Sequence, residues 1–341
     1  MTEPVLSFTD RGIYCAAGDF YIDPWRPVDR ALITHGHADH ARPGHARYLA
    51  TSAALPVMKH RLGDIRSEAV EFGETRQIGD ASVSFHPAGH LPGSAQIRVE
   101  VGGEVWVASG DYKTEPDGFC EPFEPVPCHA FITECTFGLP VFNWAAQQTV
   151  ANEINAWWAQ NAAGGRASIL GAYSLGKAQR LLHMIDPGIG PILTHGAVEA
   201  TNLVLRAQGY NLPETVQVTA ELDPKDYPGA LIVAPPSALG SKWASRFGPS
   251  SSAFASGWMR LRGVRRRRAM DRGFVVSDHA DWRGLLTAIK ETGADRIFTT
   301  HGYTEIFARY LSEKGYDATV VPTEFGSMEE ETGEEPGAQN G

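Results

Sequence analysis

The chain has 341 residues, 43% of them hydrophobic and 21% charged, a composition of packed domains that excludes a disordered or fibrous chain. Forty acidic residues against thirty basic ones leave a net charge of −10, so any nucleic-acid surface is local rather than spread over the chain. Cys15, Cys120, Cys128 and Cys135 form no CxxC pair, which argues against a cysteine zinc knuckle and for buried thiols in a reduced, cytoplasmic protein.

The first residues lack a basic segment followed by an apolar run, so no signal peptide is expected, and no stretch has the length of a membrane span. Up to about residue 140, short apolar runs alternate with Gly, Pro and Asp. Strands are predicted at 18–23, 31–34, 81–85, 95–101 and 104–108. Helical periodicity is weak there, so a β-rich layer comes first. From about 145 the pattern changes to helix 147–160, strand 167–170, helix 177–184 and helix 198–208, a βαβ-type module. Strand 274–277 follows. Asp281 then caps a helix that runs to Glu291 with Gly293 past its end. Strand 296–300 and helix 305–314 complete the series, and the acidic tail 325–341 reads as disordered.

One segment carries most of the chemistry. His35-Gly36-His37-Ala38-Asp39-His40 follows the strand 31–34 directly. Three imidazoles and a carboxylate so close together are costly to bury, because they repel or go unpaired. A divalent metal removes that cost, since neutral imidazole nitrogen and carboxylate oxygen are its natural ligands. In a tight turn, His35 and His37 can point one way and Asp39 and His40 the other, so one loop can feed two ions. Six residues cannot complete two coordination spheres, and further donors stand at strand ends: His90 after 81–85, Asp111 after 104–108 and His301 after 296–298.

These residues resemble the metal motifs of the metallo-β-lactamase superfamily. Ile132-Thr133-Glu134-Cys135-Thr136-Phe137-Gly138, Ser277-Asp278-His279-Ala280-Asp281 and Thr300-His301-Gly302 resemble the first, second and third motifs of its β-CASP nucleases. Ser256-Gly257-Trp258-Met259-Arg260 through Arg265-Arg266-Arg267-Arg268, then Asp271 to Trp282, look most like the bacterial ligase-associated DNA exonucleases. This likeness spans nearly the whole chain apart from the acidic tail.

The resemblance implies an αββα sandwich of residues 1–142 and 263–324 with a β-CASP α/β module, 143–262, inserted in it. It implies two divalent ions: His35, His37 and His90 on one, Asp39, His40 and His301 on the other, and Asp111 bridging. Asp23 would orient a ligand from behind. Zinc is favoured by the donors, and manganese is allowed. Asp39, Asp111, Glu134 and His279 form the catalytic set, with His279 serving the leaving oxygen and Glu134 holding its tautomer. The implied activity is a DNA exonuclease of repair acting on single strands or ends, with a DNA ligase and a helicase as partners and no membrane. The alternatives are an RNA-processing β-CASP ribonuclease and an inactive scaffold of a repair complex. Cys135 stands where related enzymes often have Ser, a change expected to affect packing only.

Other signals are weaker. Gly171-Ala172-Tyr173-Ser174-Leu175-Gly176-Lys177 has P-loop spacing, but Ala178 follows where a magnesium-binding hydroxyl is needed, so an NTPase is rejected. Ser174 and Lys177 remain candidates for contact with a nucleic-acid backbone. The other reading is a capped surface helix. Arg260, Arg262, Arg265, Arg266, Arg267 and Arg268 form a basic run in an acidic chain, and guanidinium forks match phosphate oxygens. Trp258 reads as a core residue, and His195 as structural despite its Thr-His-Gly setting.

Overall fold

The computed structural model describes residues 4–267, 270–321 and 323, and the side chains of 265–267 lie outside that description. The chain forms two compact units, one taking in the residues up to Asn143 and from Asp278 onward, the other Trp144–Ser277. Residues 263–277, assigned by sequence to the core, therefore fall in the second unit. The acidic tail 325–341 lies outside the described residues.

In the first unit, β1 (Ser7–Thr9), β2 (Gly12–Cys15), β3 (Phe20–Ile22), β4 (Arg30–Leu32), β5 (Arg47–Thr51) and β6 (Ser67–Val70) form one sheet in chain order. Helix α1 (Leu55–Leu62) lies between the last two in sequence. A second sheet is begun by β7 (Thr75–Ile78), β8 (Ala81–Pro87), β9 (Ala95–Val101), β10 (Glu104–Ala108) and β11 (Ala130–Cys135). The second unit then contributes α2 (Gln147–Ala163), β12 (Ala167–Gly171), α3 (Lys177–Met184), β13 (Ile192–Thr194), α4 (Gly196–Ala207), β14 (Val216–Gln217), β15 (Leu231–Ala234), α5 (Lys242–Ser245), β16 (Ser250–Ala255), α6 (Arg262–Arg267) and β17 (Arg272–Phe274). Its sheet is wholly parallel, in the order β14-β13-β15-β12-β16-β17. Back in the first unit follow α7 (Trp282–Thr292), β18 (Arg296–Gly302), α8 (Thr304–Glu313) and β19 (Asp317–Val320). The second sheet is thereby completed as β19-β18-β11-β10-β9-β8-β7.

Strand alternation sets the layers of the first unit. Ile97, Val99, Trp106 and Ile132 from the second sheet meet Ile13, Phe20, Leu32 and Leu49 from the first in one core. The intervening residues turn outward: Val107 and Phe131 pack with Leu285, Ile289, Phe307 and Leu311 of α7 and α8. Ala31, Tyr48 and Ala50 pack with Leu55 and Met58 of α1. Helix, sheet, sheet and helix therefore stack in that order, which is the expected αββα sandwich. Burying one large aliphatic side chain in such a core is worth about 1.5–3 kcal/mol.

Two expectations need correction. Helix α1 was not foreseen, because its eight residues open on Leu55-Pro56 and carry Lys59, His60 and Arg61 in the last turn, a segment too short to show an apolar period. The strand expected at 274–277 ends at Phe274 instead. It pairs with β16 as far as Ala255, and the residues after Phe274 run past the end of that partner. Asp281 does cap α7, its Oδ1 accepting from Gly284 N at 2.8 Å, and Gly293 closes the helix at φ 66°.

Candidate metal centre

The donors converge because strands deliver them to one end of the sandwich. Loop 35–40 follows β4, His90 follows β8, Asp111 follows β10, and Glu134 and His301 each stand one residue before the end of β11 and β18. Asp23, just past β3, sits at φ 43° and His301 at φ 53°. Left-handed backbone is unfavourable for both residue types, and such strain persists only where surrounding structure fixes it. Gly110 (φ 56°) precedes Asp111; a Cβ there would meet the Thr34 side chain at 2.7 Å, so the Asp111 turn admits only glycine.

Asp23 ties the loop together. Its Oδ1 accepts from Thr34 N at 2.8 Å, and its Oδ2 accepts from Thr34 Oγ1 at 2.5 Å and from His40 Nδ1 at 2.7 Å. Since a carboxylate only accepts, His40 keeps its proton on Nδ1 and turns Nε2 toward Asp111 Oδ2 at 3.6 Å. His90 is fixed in the same way. Its Nδ1 donates to the Asp278 carbonyl at 2.9 Å, leaving the Nε2 lone pair 3.1 Å from His37 Nδ1 and 3.7 Å from Asp111 Oδ2. His35 Nε2 lies 3.2 Å from His37 Nδ1 and 3.5 Å from Asp111 Oδ2. His301 stacks on His40 at 5.1 Å between ring centroids.

The donors sort into a group of His35, His37, His90 and Asp111 and a group of Asp39, His40 and His301, each within 4.8 Å. Asp111, Glu134 and His279 make a third. The electrostatics of the bare polypeptide are in conflict. Burial drives His35 well below its ordinary range, and burial with His40 nearby drives His301 to about 3. Burial opposes charge on His40 as well, but Asp111, Asp39 and Asp23 outweigh it and raise His40 to about 10. Burial lifts Asp111 to about 8, while Asp39, which burial also raises, is held to about 2 by His40, His37 and His301. Asp111 Oδ1 is buried without a hydrogen-bond partner. Divalent cations fit this set, since they need neutral imidazole and ionised carboxylate together.

Beside the donors, His279 Nδ1 donates to Glu134 Oε1 at 2.8 Å. Glu134 also accepts from Tyr112 N at 2.9 Å and Thr136 N at 3.3 Å. Burial raises its carboxyl, yet His279 and these amide donors outweigh that and hold it below its usual value. The His279 ring stands 4.7 Å from that of His90.

Three supports escaped the sequence reading. Arg61 of α1 donates to Gly36 O at 2.6 Å, from beneath the histidine loop. Thr34 joins Asp23 as described. Cys135, expected to change packing only, donates its Sγ to the His301 carbonyl at 2.9 Å and so steadies that turn. Thr34 could have been suspected, as a hydroxyl immediately before His35, but nothing local flags Arg61.

The described nucleic-acid candidates lie in the second unit. Ser174 and Lys177 are buried, with Lys177 Nζ 4.7 Å over the Tyr173 ring; α3 is capped, Gly176 N donating to Gln179 Oε1 at 2.8 Å, but most of it is buried rather than at the surface. Arg260 and Arg262 are exposed, Arg265, Arg266 and Arg267 lie in α6, and Arg268 is outside the described residues. Trp258 is buried, and His195 caps α4 by accepting from Ala197 N at 3.1 Å. No disulfide joins the four cysteines, and no described helix is long and apolar enough to cross a membrane.

No family model matches the chain. A protein of Opitutus terrae called a probable DNA ligase is 30% identical over 91% of this chain and 30% of its own length. A ribonuclease of Thermus thermophilus is 33% identical over 35% of this chain and 34% of its own. An endoribonuclease of Neurospora crassa is 28% identical over 47% and 23%. The chain thus spans about a third or less of these relatives. A crystal structure of a protein of unknown function from Enterococcus faecalis shares the fold, with TM-score 0.60 at 11% identity over 87% of this chain and 80% of that one. With the αββα sandwich and its histidine loop, these likenesses show that the chain belongs to the metallo-β-lactamase fold family, in its β-CASP branch.

Proposed function

We propose that this chain is a metal-dependent phosphodiesterase, a DNA exonuclease that shortens strands from their ends during repair. His35, His37 and His90 would hold one divalent cation and Asp39, His40 and His301 a second, with Asp111 shared. Imidazole and carboxylate donors suit zinc and tolerate manganese. Such ions supply Lewis acidity at a phosphoryl oxygen and offset charge developing there. The observation that carries the reading is Asp111 Oδ2 standing 3.5–3.7 Å from the Nε2 atoms of His35, His40 and His90, with the Glu134–His279 pair alongside. Glu134 keeps the His279 proton on Nδ1, so Nε2 faces outward for proton exchange with a leaving oxygen.

DNA as substrate is supported by the relative named a probable DNA ligase, which matches 91% of this chain within 30% of its own length. A DNA ligase and a helicase are the proposed working partners, in the cytoplasm. Arg260, Arg262 and the run Arg265 to Arg268 are proposed to contact backbone phosphates. The ribonuclease relatives support a second reading, RNA cleavage by the same machinery. An inactive scaffold is disfavoured because every donor is present.

End-labelled single- and double-stranded DNA and matched RNA, incubated with zinc or manganese, separate these readings. Stepwise shortening of linear DNA, with circular single strands spared and chelator abolishing activity, is the expected result. Preferential RNA cleavage would replace the DNA reading, and no cleavage of either polymer with metal bound would sink both. Replacing Asp23 with Asn should leave the fold intact but weaken metal binding about 10–100-fold, the usual cost of losing a carboxylate behind a ligating histidine. Titration of metal into the variant checks this, and an unchanged affinity would remove Asp23 from the centre.

A further inference from the structure

At the end of the sheet pair away from the histidine loop, β4 begins with Arg30 and β5 with Arg47. The two are register partners on neighbouring parallel strands. Their side chains therefore leave the sheet on one face, the same face from which Leu32 and Leu49 enter the inter-sheet core. At that mouth of the sandwich, a cleft of about 240 Å³ is lined by Arg30, Arg47, Tyr48, Glu68, Arg76 and Gly79, among others. Two guanidinium groups in direct register repel one another, and their desolvation at a half-buried site raises the cost. Native chains normally offset this with a carboxylate.

Here the offset is missing, in a chain with forty acidic residues. Arg76 is engaged by Glu74 at 2.6 Å. Arg30 donates to the neutral Gly18 carbonyl at 3.2 Å. Neither Arg30 nor Arg47 forms an ion pair with a described residue, and Arg47 has no hydrogen bond from its side chain to one. Glu68 lines the cleft but is exposed and pairs with neither arginine. Arg30 and Arg47 both line this cleft, and while one fork is filled by the two oxygens of a carboxylate, a phosphate group has oxygens enough to accept from both.

We propose that this cleft binds a phosphate group, carried either by a mononucleotide or by the backbone of a strand. The site shares no residue with the metal donors, and the inference does not depend on the reaction proposed for them. Binding neutralises the facing guanidinium groups and bridges the starts of β4 and β5, so occupancy also stabilises the protein.

The test titrates the intact, metal-containing protein with inorganic phosphate, with thymidine monophosphate and with a phosphorothioate oligothymidylate. The same is done with Arg30→Met/Arg47→Met. The wild-type protein is expected to take up one phosphate more than the variant and to melt at a higher temperature when phosphate is added. In the variant this affinity falls about 10–100-fold, the cost of one or two charge-assisted hydrogen bonds, while metal content is unchanged. Loss confined to inorganic phosphate and the monophosphate identifies a small ligand. A parallel loss for the oligothymidylate, with a flatter salt dependence, identifies a strand. Arg47→Gln, which removes a guanidinium that holds nothing else, gives the same comparison if the double variant does not fold. Equal phosphate stoichiometry, affinity and melting shift in variant and wild type would overturn the proposal.

Discussion

Asp111→Asn is expected to abolish cleavage, with a fall on the order of 10³-fold or more, and to lower bound metal at the same time. The expectation follows from the proposed sharing of Asp111 between two cations. Its Oδ2 faces three imidazole nitrogens at 3.5–3.7 Å, and its Oδ1 is buried without a hydrogen-bond partner. Burial, with Glu134 and Asp39 nearby, lifts this carboxyl to about 8 against the opposing pull of His40 and His279, so further positive charge is what makes the ionised form tolerable there. Asparagine keeps the shape and removes the charge. Residues that merely buttress a metal ligand cost about 10–100-fold when lost, so a donor common to two ions should cost more. Elemental analysis alongside the cleavage rate checks the result. A variant that keeps full metal content and activity would show that the other six donors work without a shared carboxylate.

What the sequence revealed tracks how local each interaction is. The histidine loop was legible because four donors fall within six residues directly after a strand, and the donors at 90, 111 and 301 because each follows an apolar run. The strands β9 and β10 were legible as apolar runs between turns, whereas the layering of the sandwich rested on the resemblance. Interactions across long sequence separations were not legible. The Asp278 carbonyl that fixes the His90 tautomer is 188 residues away, and the Arg61 contact depends on a helix too short to show a period. The burial of Ser174 and Lys177 was not legible for a different reason. Glycine spacing marks a turn before a helix, but it does not say which side of the helix faces solvent, and six of the eight α3 residues are buried. The same holds for Arg30 and Arg47, unremarkable as isolated strand-start cations until the register sets them side by side.

His279→Ala should retain its metal and slow cleavage by about 10²–10⁴-fold, the range for loss of a positioned proton donor or acceptor. The distinction from a ligand is sharp, because Asp111, Glu134 and His279 also lie close enough to hold an ion themselves. Loss of metal with His279 would make it a donor rather than a proton carrier. Glu134 allows a second cut at the same question. It is buried, accepts the His279 Nδ1 proton at 2.8 Å and is anchored by Tyr112 and Thr136 amides. Its hydrogen bond to the ring gives it a route to act through the imidazole. Glu134→Gln leaves an oxygen able to accept but removes the charge that favours a protonated ring, and should shift the pH profile of cleavage as well as its rate. The pair should be non-additive: Glu134→Gln in a His279→Ala background should slow the reaction little further. Additive losses with unshifted pH profiles would leave Glu134 a buried strand-end carboxylate with a structural role alone.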